Sequence, residues 1–257
     1  MTKEIFFDLL TKEVATYKSF LETDSGDWVV KGFIDIYKKV CDNPRLQRLP
    51  LEFMKTHLIS KLAGFAKNEG LEIELSSNQN YYPDLTFRDD EGHLFAVDIR
   101  SGYYQDDKIN SLALGSYRGY FCERNSVIGM DHSYNDYASH LVLGILYKYW
   151  ADVEDNMYAI NSVIENFIFF VQPKWKIASD KPICDNTRSI GSITNVCKLL
   201  AGQGIFAPFG EDVFDDYWMG YFNATDAQKL CWTIPPYSDF ETYRQHLIKL
   251  SAYSERF

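Results

Sequence analysis

Tyr82-Pro83-Asp84-Leu85-Thr86-Phe87 is followed by the polar run Arg88-Asp89-Asp90-Glu91-Gly92-His93 and then by Leu94-Phe95-Ala96-Val97-Asp98-Ile99-Arg100. Two apolar, β-prone segments around a charged stretch that contains glycine predict a β-hairpin. Alternation along the second strand sets Asp98 and Arg100 on one face and turns Val97 and Ile99 toward a core on the other. Asp84 at the start of the hairpin and Asp98 near its end are then placed to share a divalent cation, with a fixed positive charge beside them. That is the layout of a phosphodiester-cleaving site. The same spacing fits a plainer reading, in which Asp84 is a turn residue after a proline and Asp98 an exposed carboxylate paired with Arg100. Asp98 is the harder residue to explain that way, because a charge inside Phe95-Ala96-Val97-Asp98-Ile99 needs compensation.

The chain has 257 residues, of which 46% are hydrophobic, enough for one large core or a core with a small subdomain. No run reaches the roughly 18 apolar residues of a membrane span; Phe167-Ile168-Phe169-Phe170-Val171 is bounded by Asn166 and Gln172. Met1-Thr2-Lys3-Glu4 lacks a basic segment ahead of an apolar one, so a cytoplasmic location is expected. Cys41, Cys122, Cys184, Cys197 and Cys231 are scattered, odd in number and without C-x-x-C spacing. Buried thiols are expected of them rather than a disulfide frame or a zinc site. His132 and His140 are eight apart but belong to no H-E-x-x-H pattern.

A formal charge of -10 argues against nonspecific coating of nucleic acid, yet leaves room for a cleft whose local field differs. Asp152-Val153-Glu154-Asp155 and Glu211-Asp212 with Asp215-Asp216 are expected to face solvent. Between Lys174 and Lys198 the balance reverses through Lys174, Lys176, Lys181, Arg188 and Lys198. Any nucleic-acid-facing surface is expected there.

Ile5, Leu9, Val14 and Tyr17 predict an amphipathic first helix ending near Phe20, and Trp28-Val29-Val30 a short strand. A second helix is predicted from Pro50 to Asn68 on the spacing of Leu51, Met54, Leu58, Leu62 and Phe65, closed by Gly70. Leu71 to Leu75 alternates as an edge or half-buried strand, and Ser76 to Asn80 forms a polar loop leading into the hairpin. Tyr137 to Trp150 is a buried helix or a central strand; periodicity does not distinguish them. Further strands are predicted over Phe167–Val171 and Trp175–Ala178, a loop over Ser179–Ser192, a short helix with Phe214, Tyr217 and Trp218, and a terminal helix with Phe240, Tyr243, Leu247 and Leu250. A single mixed α/β or α+β unit follows.

Tyr82-Pro83-Asp84 with Asp98-Ile99-Arg100 resembles the proline-aspartate, acidic-x-lysine motif of the type II restriction endonucleases of the PD-(D/E)xK superfamily. The resemblance extends through Gly70–Glu74, Asn78–Asp84, Ala96–Ile99 and Leu114–Tyr117. It continues over Asn186–Ile193, Gly202–Phe206 and Phe214–Trp218. It covers roughly residues 50 to 222, in order.

The resemblance implies an α/β core with a central mixed five-stranded sheet flanked by helices and a small N-terminal dimerisation region. The expected divisions of this compact unit are a dimerisation segment over 1-45, a nuclease core over 46-180, a recognition loop with its following helices over 181-222, and a helical end over 223-257. It also implies a homodimer embracing double-stranded DNA and cutting both strands of a short palindromic site, with central, blunt cleavage. Asp84, Asp98 and the carbonyl of Ile99 would hold Mg²⁺, and Glu52 would be an added acidic residue on a nearby helix. Asn78, Gln79 and Asn80 would approach the minor groove; Asn186 and Thr187, flanked by Arg188, would read base edges in the major groove. A separate DNA methyltransferase, not a stable subunit, is implied as the partner of the restriction role. The remaining readings are a DNA-binding relative that has lost cleavage and a structure-selective metallonuclease.

Two departures from the family pattern matter. Ile183 and Asp185 stand where glycines would precede Asn186, and an Asp185 side chain can accept from cytosine N4, so a different outer base pair is expected. Arg100 replaces the usual lysine. A guanidinium keeps its proton and cannot act as a neutral general base, but it can clamp a phosphate through two nitrogens.

Overall fold

The computed structural model describes residues 1–21, 49–110, 112–149, 164–184 and 187–254. The predicted strand at Trp28–Val30, most of the proposed dimerisation segment, the acidic run at 152–155, and Asp185 and Asn186 lie outside these described residues.

The centre is a mixed sheet ordered β1-β2-β3-β5-β6, with β4 paired to the far end of β3. Its strands are β1 (Glu72–Leu75), β2 (Leu85–Arg88), β3 (Leu94–Gln105), β4 (Lys108–Ile109), β5 (Tyr137–Tyr149) and β6 (Ile164–Pro173). The hairpin β2–β3 is antiparallel, with Leu85 opposite Val97 and Arg88 opposite Leu94. β3 and β5 run parallel, with Arg100 beside Gly144. The ambiguous run is therefore an interior strand over Tyr137–Tyr149. It is apolar on both sides because both faces of the sheet are covered.

On one face, α1 (Lys3–Val14) and α3 (Leu49–Asn68) cover the sheet. Val97 and Ile99 are buried there with Phe6, Leu10, Leu58, Leu62 and Phe65, as alternation predicts. The buried stripe of α1 is Phe6, Leu10 and Val14, continued by Tyr17; Val14 and Tyr17 are buried as predicted, while Phe6 and Leu10 take the places expected of Ile5 and Leu9. The helix ends at Val14, and α2 (Lys18–Leu21) follows as a separate turn. Gly70, at φ 69°, closes α3, with the Leu71 amide donating to the Ala66 carbonyl.

The opposite face carries Ala96, Asp98, Val142 and Leu146 under an aromatic layer built from α6 (Glu211–Met219) and α8 (Phe240–Ser254). Phe214, Tyr217, Trp218, Phe240 and Tyr243 are buried in that layer, but Leu247 and Leu250 of α8 are exposed. The acidic residues of α6 do not all face solvent: Asp215 pairs with Arg124 at 2.6 Å, and Tyr243 donates to Asp216. Trp175 belongs to a single helical turn, α4 (Lys174–Ile177), rather than to a strand, because Lys174 and Ile177 are buried together at helical spacing. The predicted loop that follows contains a ribbon, β7 (Ala178–Pro182) paired with β8 (Ile190–Ser192). Between β8 and α6 lies α5 (Val196–Leu200), and between α6 and α8 lies α7 (Ala224–Lys229). Cys184, Cys197 and Cys231 are exposed free thiols rather than buried ones. Among the described residues no helix is long and apolar enough to cross a membrane.

Candidate metal and phosphate site

Continuing the β2–β3 register by one pair puts Asp84 opposite Asp98. Their carboxyl groups come within hydrogen-bonding range of each other. Like charges placed so closely repel unless a proton or a cation intervenes. Asp84 Oδ2 accepts from the Ile99 amide at 2.8 Å, which ties the loop before β2 to the strand carrying Asp98. Asp98 is 1% exposed and its Oδ2 accepts from Arg100 Nε at 2.6 Å. Burial pushes the Asp98 carboxyl upward, but the charges of Arg100 and Lys174 and the bond from Arg100 outweigh it, so the group sits below the usual carboxylate range. Asp98 is thus a buried, compensated charge and not an exposed strand carboxylate. Burial likewise opposes the Arg100 charge, yet Asp98 and Asp84 hold its proton more firmly than usual. Arg100 is excluded as a proton acceptor by its surroundings as well as by its chemistry.

Lys174 reaches the same place from β6 and α4. It lies in the basic stretch expected to face nucleic acid, but is buried at 1% exposure, because Pro173 ends β6 and turns the side chain under the sheet face that carries Asp98. Its Nζ lies 3.8 Å from the centre of the Tyr82 ring and 5.6 Å from that of Tyr120. Tyr82 and Tyr120 stack with centroids 4.5 Å apart. Burial lowers the ammonium to about 7, partly offset by Asp98 and Asp215 and reinforced by Arg100. Tyr82 also hydrogen-bonds His140 Nδ1 at 3.0 Å, and His140 is kept neutral by burial and by the nearby Lys174 and Arg124 charges. This tyrosine platform directly precedes Pro83-Asp84. No local pattern marks Lys174 or Tyr120 as part of this site; the one signal for Lys174 is that a lysine closes an apolar strand.

The carboxylate pair fits a hard divalent ion, since it presents two oxygen donors close together in a dry place. The Ile99 backbone is adjacent through its amide. Glu52 lies in the first turn of α3, with its side chain outside the described residues. A second group, Asp89, Glu91 and His93, places ligand atoms within 4.8 Å of one another and is able to coordinate a divalent metal. It sits in the hairpin turn, about 16 Å from the Asp84–Asp98 end by strand rise. Both Asp89 oxygens there already accept bonds, from the Glu91 and His93 amides, His93 Nδ1 and the Met1 amino group. The turn cluster therefore binds an ion only by giving up bonds that shape the hairpin.

The predicted DNA-reading residues lie on two surface features. Asn78, Gln79 and Asn80 form an exposed loop whose turn is made by Asn78, the Asn80 amide donating to its Oδ1 at 2.9 Å. Ile183, Thr187 and Arg188 lie at the tip of the β7–β8 ribbon. The Thr187 hydroxyl donates to the Cys184 carbonyl at 3.0 Å, and Arg188 pairs with Asp226 at 2.8 Å. The ribbon is joined to the Leu114–Tyr117 segment through Leu114 to Ile190, Ile190 to Gly115 and Tyr117 to Arg188 bonds of 2.8 to 2.9 Å.

A mixed sheet with paired acidic residues at one end of its central hairpin is the core of the PD-(D/E)xK nucleases. The restriction endonuclease EcoRV family model matches residues 24–248. The type II restriction enzyme EcoRV of Escherichia coli is 31% identical over 183 residues, covering 66% of this chain and 71% of that enzyme. The chain belongs to the EcoRV restriction endonuclease family, and with it to the PD-(D/E)xK superfamily. Its class is that of metal-dependent nucleases.

Proposed function

We propose that this chain is a Mg²⁺-dependent type II deoxyribonuclease that hydrolyses both strands of a short palindromic duplex site as a homodimer, with blunt, central cleavage. The observation that carries this reading is the meeting of Asp84 and Asp98 under Arg100 in a chain of the EcoRV family. The divalent ion belongs to this pair rather than to the hairpin turn, because the pair faces Arg100 and Lys174, two groups with affinity for phosphate.

Mg²⁺, when bound, would supply positive charge at the phosphoryl oxygens and acidify the attacking water. Asp84 and Asp98 would hold it, and the Ile99 amide keeps Asp84 in place for that task. Arg100, anchored through Nε, directs its remaining nitrogens to the scissile phosphate and stabilises charge as it develops there. The proton of the attacking water passes to solvent or to a neighbouring phosphate, because Arg100 in the lysine position cannot take it. The Asn78–Asn80 loop and the 183–188 ribbon tip supply minor-groove and major-groove contacts. A separate methyltransferase would protect the host's own sites.

Purified protein incubated with Mg²⁺ and mixed-sequence duplex DNA is expected to give discrete fragments whose ends share one palindrome. Retention of DNA without cutting would favour a binding-only relative, and nicking at junctions or flaps would favour a structure-selective nuclease. Either result would displace the present reading.

A further inference from the structure

Arg100, Tyr120 and Lys174 converge beside Gly115. A Cβ placed on Gly115 would lie 2.7 Å from Tyr120 Oη, 3.4 Å from Arg100 Nη2 and 3.8 Å from Lys174 Nζ. Gly115 has φ 88°, a conformation that side chains disfavour, so nothing of its own occupies that space. Tyr120 Oη and Lys174 Nζ are both buried and both lack a hydrogen-bond partner. Leaving one such group unsatisfied costs about 1–3 kcal/mol, and more when it is charged. Two orphan donors side by side, next to a guanidinium, are the complement of a missing acceptor. The two donors and the guanidinium converge on one acceptor, and the fixed charge of Arg100 selects an anion there. Arg100 is the open side of this space: its side chain is 31% exposed, and its Nε is already committed to Asp98.

We propose that Arg100 Nη2, Tyr120 Oη and Lys174 Nζ form a three-donor seat for one non-bridging oxygen of the scissile phosphodiester, beside the carboxylate pair. The identity of the ligand rests on the nuclease reading above; the existence of an anion seat does not. The seat answers the question raised by arginine in the lysine position. Charge that one lysine would place on the phosphate comes here from Arg100 on β3, Lys174 at the start of α4 and a phenol. That oxygen becomes more negative as the water attacks, and preorganised donors in a dry site gain most from this. The lysine arrives from the strand that feeds the recognition ribbon, and Gly115 is hydrogen-bonded to the ribbon itself, so the seat is built partly by the element expected to read bases.

The test separates the seat from the reaction. Metal-free wild type is titrated with inorganic phosphate by calorimetry, alongside Tyr120→Phe and Lys174→Met. Tyr120→Phe removes the hydroxyl while keeping the ring stacked on Tyr82, so folding is not at issue. Wild type should bind phosphate saturably, and each variant should bind at least about tenfold more weakly, the effect of one hydrogen bond to a charged group. On a duplex that the wild type cuts, both variants should lower the single-turnover rate about tenfold or more at saturating Mg²⁺ and saturating enzyme. Equal phosphate affinity in all three proteins overturns the seat. Loss of phosphate binding in the variants, with a wild type that cuts no DNA, supports the seat and overturns only the nuclease reading.

Discussion

Lys174→Met should make this protein more stable while impairing it. Lys174 faces Asp98 and Arg100 from β3, Asp215 from α6, and the rings of Tyr82 and Tyr120. Burial lowers its ammonium from 10.5 to about 7, and a depression of that size corresponds to ~5 kcal/mol carried by the charged form. Because the folded value lies below the unfolded one, the unfolded chain holds more protons across that window. The destabilisation is therefore complete below about pH 7 and disappears as pH rises through the unfolded value near 10.5. Against the gain stands the loss of the cation–π contact, up to ~2 kcal/mol. Near neutral pH the methionine variant should then be about 3 kcal/mol more stable, a rise in melting temperature of roughly 5–10 °C for a chain of this size. Its advantage should vanish toward about pH 10. Urea unfolding of both proteins in chelator and phosphate-free buffer across that range measures the difference. A variant no more stable than wild type, or a gain that does not change with pH, would refute the argument.

Asp98→Asn and Asp98→Ala both leave Arg100 and Lys174 without their shared anion and should lose Mg²⁺-supported cleavage; the alanine, which also drops the acceptor for Arg100 Nε, should cost the more, about 3–5 kcal/mol in denaturant unfolding. Combining Asp98→Asn with Lys174→Met should be less destabilising than the sum of the separate changes predicts, which a double-mutant cycle would show. Arg100→Lys should alter the cleavage rate more than the Mg²⁺ dependence, read from metal titrations of single-turnover rates; a wild type that is inactive until lysine is installed would contradict the phosphate clamp. Gly144→Ala would place a methyl 1.9 Å from Phe170 Cζ, so the ring must leave its place and stability should fall by about 2–4 kcal/mol, with Phe170→Leu in the same chain restoring part of it.

The hairpin and its two aspartates were legible because they depend on local rules: a polar turn between β-prone runs, and alternation that gives each side chain a face. The helix over 49–68 and its glycine stop were legible for the same reason. The Tyr137–Tyr149 strand was not, because a segment buried on both sides has no period to read. Trp175 was misplaced for a related reason: one helical turn is too short to show periodicity, and it exists because Lys174 and Ile177 are drawn inward together.

The sequence by itself determined that a carboxylate pair and an arginine stand at one end of a hairpin, since register and strand alternation follow from neighbouring residues. Only the tertiary structure decided what surrounds them. Lys174, Tyr120 and Gly115 come from distant parts of the chain and meet Arg100 through the packing of β6 and α4 against the face that carries Asp98. A buried charge takes its meaning from its neighbours, and those neighbours are set by packing across the sheet rather than by position along the chain.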